Sequence, residues 1–190
     1  MNFSSLTAIS PIDGRYNSKT KELQTYFSEF GLIKYRVIVE VEYFIAMVET
    51  GIPALSDFPK EKYSNLRAIC ENFSEENALW IKNIEKTTNH DVKAVEYFVK
   101  DQMTALSIDK YLEFIHIGLT SQDINNTSVP LSLKEAVTNE YLPLLDGLIE
   151  KLRMQSIAWM DISMLAKTHG QPASPTRLGK EIQVFVERLS

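Results

Sequence analysis

Three histidines occur in the chain, and each stands among small polar residues: His90 in "TTNHD", His116 in "FIHIGLTSQD" and His169 in "KTHGQP". An unperturbed imidazole titrates at about pH 6.5, so it can give or take a proton near neutrality. His169 is the hardest of the three to explain as core. Gly170 permits close backbone approach, and Gln171 adds an amide that both donates and accepts. The neighbouring segments read as helix starts. Asn89 is placed to cap one helix and Ser121 a second; Ser174 or Thr176 is placed to cap a third, with Pro175 in its first turn. A helix start offers free N–H donors and the positive end of the dipole, which suit carboxylate or phosphate. Three such ends brought together would hold a substrate with several anionic groups. Arg15, after the Asp13-Gly14 turn, can clamp one of them through two hydrogen bonds.

Ordinary readings stand beside these. His90 can simply cap its helix. His116 lies between Ile115 and Ile117 and reads as a hydrogen-bonded structural residue. Thr120 and Ser121 are by default a cap, and Arg15 a solvated or ion-paired side chain. Other chemistries fit poorly. No HxxxH, HExxH or CxxC spacing signals a metal, and no GxGxxG, GxxxxGK[ST] or GxSxG run is present. Cys70 is alone, which excludes a disulfide framework and points to a reducing compartment; it reads as core rather than nucleophile. The net charge of -5 argues against a nucleic-acid surface, whose affinity rests on Lys and Arg. The first residues show no basic region followed by an apolar run, so they do not read as a signal peptide, and no apolar run reaches the roughly 18 residues that span a bilayer.

The positioning elements read as helices, so the class is all-α. With 44% hydrophobic residues, the chain can build a real core. Residues 1–18 read as an extended segment ending in a turn at Pro11 and Asp13-Gly14. A long buried helix lies between Gly31 and Gly51. A loop with Pro53 and Pro59 follows, then a helix over 62–72. Ser74 caps another that runs to about Lys86. Val92, Val95, Val99, Met103 and Leu106 form the apolar stripe of the next. Leu133, Val137, Tyr141, Leu144, Leu148 and Leu152 mark a segment over 132–160, which Pro130 and Pro143 should bend or interrupt. Residues 161–175 read as an irregular connection. Leu178, Ile182, Phe185 and Leu189 mark a last amphipathic helix, whose stripe stops without a terminating signal and reads as the front of a longer chain. A boundary near 107–110 divides an N-terminal helical domain, 1–110, from the first part of a helical bundle, 111–190.

Taken together, "SLTAISPIDGRY" at 5–16, "TTNHDVKAVEYF" at 87–98, "EFIHIGLTSQDINN" at 113–126 and "KTHGQPASPT" at 167–176 resemble, in order, the motifs of the adenylosuccinate lyase branch of the fumarase/aspartase superfamily. The resemblance spreads over nearly all of the chain. It implies a cytoplasmic purine-biosynthesis lyase that eliminates fumarate from adenylosuccinate to give AMP, and from SAICAR to give AICAR, without cofactor or metal. It implies a mostly helical subunit in a homotetramer whose active sites are shared between subunits. It implies His169 as general acid, Arg15 and Tyr16 as nucleotide-holding residues, Asn89, His90 and Asp91 as a substrate-binding group, and Thr120 and Ser121 as donors to the succinyl carboxylate. Lys93, Gln122 and Gln171 rank behind these. The family's general base, a serine in a run resembling "SSxMPxKxN", has no counterpart in these 190 residues, so the chain by itself is expected to be inactive. Two other readings remain: another superfamily lyase, such as an argininosuccinate lyase, and a non-catalytic helical assembly module.

Overall fold

The computed structural model describes residues 6–190, which are mostly helical with one two-stranded sheet. The segment 1–5, where the first resemblance motif begins, lies outside the described residues. From Leu6 onward the chain is a run of turns rather than an extended strand. Gly14 N–H donates to Ser10 O, and Tyr16 N–H to Pro11 O, so the turn expected at Pro11 and Asp13-Gly14 is present. Two compact units follow, one ending at Ala136 and the other covering Val137–Ser190. The boundary expected near 107–110 falls inside the first of these units.

In the first unit, α1 (Gln24–Phe27) leads into α2 (Glu29–Glu49), capped by Ser28, whose side chain accepts from the Gly31 N–H. Gly31 is required by space: a Cβ there would sit 2.7 Å from the Tyr26 carbonyl carbon. α2 is the long helix expected between the glycines. Val37, Val41 and Phe44 are fully buried on it. They pack with Leu66 of α3 (Tyr63–Glu71), Ile81 of α4 (Glu75–Thr88) and Val95, Val99 and Met103 of α5 (Asp91–Ala105). Each such side chain contributes about 1.5–3 kcal/mol by leaving water. Ser74 starts α4 with a reciprocal capping box to Asn77. The last helix of the unit, α6 (Ser121–Ala136), is tied on by a small second cluster of Val39, Val92 and Ile124, with Leu119 against it. That cluster joins α2, α5 and α6 directly beneath the polar residues described below.

Pro130 does not break α6. The interruption comes at a π-helical turn, Val137–Tyr141, just ahead of Pro143 in the first turn of α7 (Leu142–Ala158). Pro143 has no N–H, and its ring would crowd the carbonyl of Asn139; a widened turn relieves that contact. The stripe read from the sequence here lies open: Leu133, Tyr141 and Leu144 are 53%, 59% and 75% exposed.

In the second unit, α7 is followed by β1 (Ser163–Thr168), β2 (Gln171–Arg177) and α8 (Leu178–Leu189). The expectation of an irregular 161–175 segment is corrected: β1 and β2 form an antiparallel hairpin with a register shift between Leu165 and Lys167. Pro172 and Pro175, which argued against a strand, are tolerated because a two-stranded ribbon has edges that need no donor. The expected cap at Ser174 or Thr176 is corrected as well. Both residues lie in β2, Arg177 occupies the N-cap without a side-chain bond, and Thr176 Oγ1–H donates to Glu181 Oε1 at 2.7 Å. α7 and α8 pack at Gly179, where any Cβ would collide with the Ser156 carbonyl, and the buried Ser156 hydroxyl donates to Gly179 O at 2.9 Å.

Candidate functional site

The polar residues of the first unit converge where α4 ends and α5 and α6 begin. Asn89, expected to cap α5, instead terminates α4 in a left-handed conformation, φ +50°. Asparagine is one of the few side chains that tolerates that conformation. The N-cap of α5 is His90, whose Nδ1 accepts the Lys93 N–H at 3.1 Å. An Nδ1 that accepts carries no proton, so in the neutral ring Nε2 bears it. Nε2–H then faces Ser121 Oγ at 3.3 Å. Ser121 Oγ receives this bond, and its own O–H remains a donor. The 3.8 Å approach of His90 Nδ1 to Asp91 Oδ1 is not an ion pair in this arrangement, because Nδ1 is already an acceptor. His90 thus satisfies the ordinary reading, as a cap, and also turns its second nitrogen toward another motif.

Asp91 is held from two sides. Its Oδ1 accepts the Val92 N–H at 2.8 Å, and its Oδ2 meets Arg36 Nη2 at 2.8 Å. Burial pushes the carboxyl up, but the Val92 N–H and the Arg36 guanidinium together hold it below the usual range. Arg36 is 5% exposed on α2, and its Nε donates to Asn125 Oδ1 of α6 at 3.0 Å. Arg36 therefore links all three helices under the site.

The start of α6 also differs by one residue from expectation. Thr120, not Ser121, fills the capping position, and its carbonyl accepts from the Asp123 and Ile124 N–H groups. Asp123 reaches back: its Oδ2 accepts both the Thr120 N–H, at 2.7 Å, and the Thr120 Oγ1–H, at 2.8 Å. These two bonds lower the Asp123 carboxyl. An internal carboxylate thus occupies the Thr120 donors, showing which chemistry they suit.

Among the second-rank residues, Lys93 Nζ pairs with Glu96 Oε2 at 2.8 Å, and Gln122 Nε2–H donates to Asn126 Oδ1 at 2.6 Å. Arg15 and Tyr16 are exposed on the turn before Asn17, with the guanidinium 5.5 Å from the ring centroid. No bond between them and the His90 cluster occurs among the described residues. Cys70 is buried and its thiol is pushed up to about 12 by burial, as suits a core residue. A groove of about 460 Å³ between α2 and α6 is lined mainly by apolar residues such as Ile38, Tyr43, Leu119 and Leu131, and holds no histidine.

His169 belongs to the second unit. Thr168 and Gln171 are paired at the hairpin's end, which leaves His169-Gly170 as a two-residue loop. Both residues have positive φ, +49° and +76°, as a type I′ turn requires. His169 is exposed at this tip, and Gln171 begins β2 beside it.

Sequence reasoning passed over Arg36, Glu40, Asp123 and Asn125. The signal for the first two was present: charges four residues apart within a helix otherwise apolar on that face. Glu40 Oε1 lies 2.6 Å from Nδ1 of His116, which stands at φ +63°.

The fold and these motifs together place the chain in one helical family. The profile of the family described as Lyase matches residues 14–190, and the chain belongs to that family. Over its whole length it is 53% identical to adenylosuccinate lyase of Dictyostelium discoideum, 50% to that of Vibrio cholerae and 46% to that of Escherichia coli K12. It spans 42% of the length of each of these relatives. Among solved structures, the 3-carboxy-cis,cis-muconate lactonizing enzyme of Pseudomonas putida shares the fold, with TM-score 0.60 and 21% identity over 89% of this chain and 37% of that one. The β-carboxy-cis,cis-muconate cycloisomerase of Acinetobacter calcoaceticus gives TM-score 0.61 and 20% identity over 89% of this chain and 38% of that one.

Proposed function

We propose that the chain forms part of an adenylosuccinate lyase, which eliminates fumarate from adenylosuccinate to give AMP and from SAICAR to give AICAR. The observation that carries this reading is the match to enzymes of that name across all 190 residues, up to 53% identical. In the reaction, a base takes the proton from the carbon beside a carboxylate, and the electron pair is held as an aci-carboxylate. That pair then forms the new C=C bond as the C–N bond breaks, and an acid protonates the departing nitrogen.

His169 is the acid in this reading. An exposed imidazole on a two-residue turn suits delivery of a proton to a bound substrate. Arg15 and Tyr16 hold the nucleotide. Asn89, His90 and Asp91 bind substrate near the reacting carbon, and Thr120 and Ser121 donate to the succinyl carboxylate. The free Ser121 O–H supports its part of the last assignment; Thr120, whose N–H and Oγ1–H both go to Asp123, must exchange that internal carboxylate for the substrate's. The enzyme works in the cytoplasm as a homotetramer with shared sites and no cofactor.

The serine-bearing run that supplies the base is not among these residues, so the 190-residue chain alone should not turn over adenylosuccinate. Absorbance assays test both statements. The full-length protein is expected to consume adenylosuccinate and SAICAR but not argininosuccinate, and the 190-residue chain none of them. Turnover of argininosuccinate alone would move the assignment to another lyase, and absence of any turnover would favour an assembly role.

A further inference from the structure

Glu40 is 0% exposed on α2. Its Oε1 contacts His116 Nδ1 at 2.6 Å, while its Oε2 is buried with no hydrogen-bond partner among the described residues. The charges around it are accounted for. On α2, Arg36 is committed to Asp91 and Asn125. On α5, Glu96 adds a like charge, itself held by Lys93 and Lys100. On α6, Asp123 is bound to Thr120. Burial raises the Glu40 carboxyl above its ordinary value, and the His116 contact opposes this only in part. The sign follows from linkage. A folded-state value above the unfolded one means that stability is fully present below the ordinary carboxylate range and is lost as pH rises through the folded value. Ionised Glu40 therefore works against the fold, and a glutamine of the same size would not.

Stability does not explain the carboxylate, but its chemistry does. A carboxylate only accepts, whereas an amide can present either a donor or an acceptor. Facing a carboxylate, His116 must place a proton on Nδ1. The same histidine begins the left-handed stretch at His116 and Gly118, φ +63° and +73°, that leads into Thr120 and Ser121. Tyr43 O–H of α2 donates to Ile117 O in that stretch at 3.0 Å.

We propose that Glu40 is a positioning residue: through His116 it fixes the Nδ1–H form of that imidazole and pins the 116–119 segment that delivers Thr120 and Ser121 to the start of α6. This rests on the geometry of the first unit and not on the proposed reaction.

The test is nitrogen-15 NMR of the histidine-labelled 190-residue chain, whose three imidazoles are few enough to resolve. His116 is assigned by its loss in His116→Asn. At neutral pH the His116 signal is expected to show a protonated Nδ1. In Glu40→Gln, the tautomers should mix and amide exchange over 116–121 should quicken by roughly tenfold or more. The melting temperature should be unchanged or higher. A Glu40→Gln chain that melts lower with the tautomer unchanged would overturn the proposal in favour of a plain structural ion pair. So would a wild-type His116 protonated only on Nε2, a result that stands even if the variant does not fold.

Discussion

His90 and His169 are held in opposite ways. His90 is fixed by its side chain: one nitrogen is tied to the first turn of α5, the other faces Ser121, and Val92 and Ile124 are fully buried in the layer below. His169 is fixed by its backbone: a two-residue turn with positive φ sets where the ring starts, and no hydrogen bond to the ring occurs among the described residues. The first arrangement fixes the tautomer and limits the histidine to hydrogen bonding. The second leaves both nitrogens without a hydrogen bond among the described residues, as the proposed acid role requires. The difference teaches that a shared residue type says little about role until its other bonds are known.

The sharpest way to break the comparison is to remove each ring in the full-length protein. His169→Ala should lower turnover by roughly 10²–10⁴-fold while leaving substrate binding nearly intact, the range expected for a lost general acid. Equal loss of binding and turnover, measured as separate kcat and KM values, would assign the residue to holding substrate instead. The supports should respond differently. Ile124→Ala, a fully buried side chain beneath His90, should cost about 2–5 kcal/mol in chemical denaturation. Gly170→Val at the hairpin tip should cost about 1–3 kcal/mol, through backbone strain rather than packing.

Smaller effects sharpen the picture. The Asp91 carboxyl is lowered in the folded state, so its contribution is present above the ordinary value of 3.8 and is lost as pH falls through the folded value. Arg36→Met should weaken that contribution and flatten the acid side of the stability profile followed by thermal melting. Because Asp91 is 46% exposed, the change should be less than for a fully buried pair. Last, His90→Ala should cost about 1 kcal/mol as a lost cap, while His90→Asn should restore most of it. If His90→Asn melts like the wild type yet turns over substrate poorly in the full-length protein, the ring does more than cap.

Much of the helical layout was legible because burial imposes periodicity. Val92, Val95, Val99 and Met103 announced α5, and all four are 0% exposed. Ser74 announced its cap. The hairpin was not legible, because Pro172 and Pro175 signal irregular chain wherever a ladder must be continuous, and a two-stranded ribbon escapes that rule. The starts of α5 and α6 were found to within one residue, but the cap passed from Asn89 to His90 and from Ser121 to Thr120. Side chains at adjacent positions compete for the same amides, and propensity does not rank them finely enough. Arg36 and Glu40 were hidden by the habit of reading charges as solvated, which fails when partners such as Asp91 and His116 come from distant segments.

With His169 as the proposed acid, the turn at His169-Gly170 sets fold and chemistry against each other. At its first position a type I′ turn favours Asn or Asp, whose short side chains ease the left-handed backbone; histidine is a poorer choice. A redesign guided by stability alone would write Asn-Gly there and would gain a firmer hairpin. It would also delete the imidazole displayed at that hairpin tip, so screens that select variants of this protein by heat resistance should be expected to favour His169→Asn.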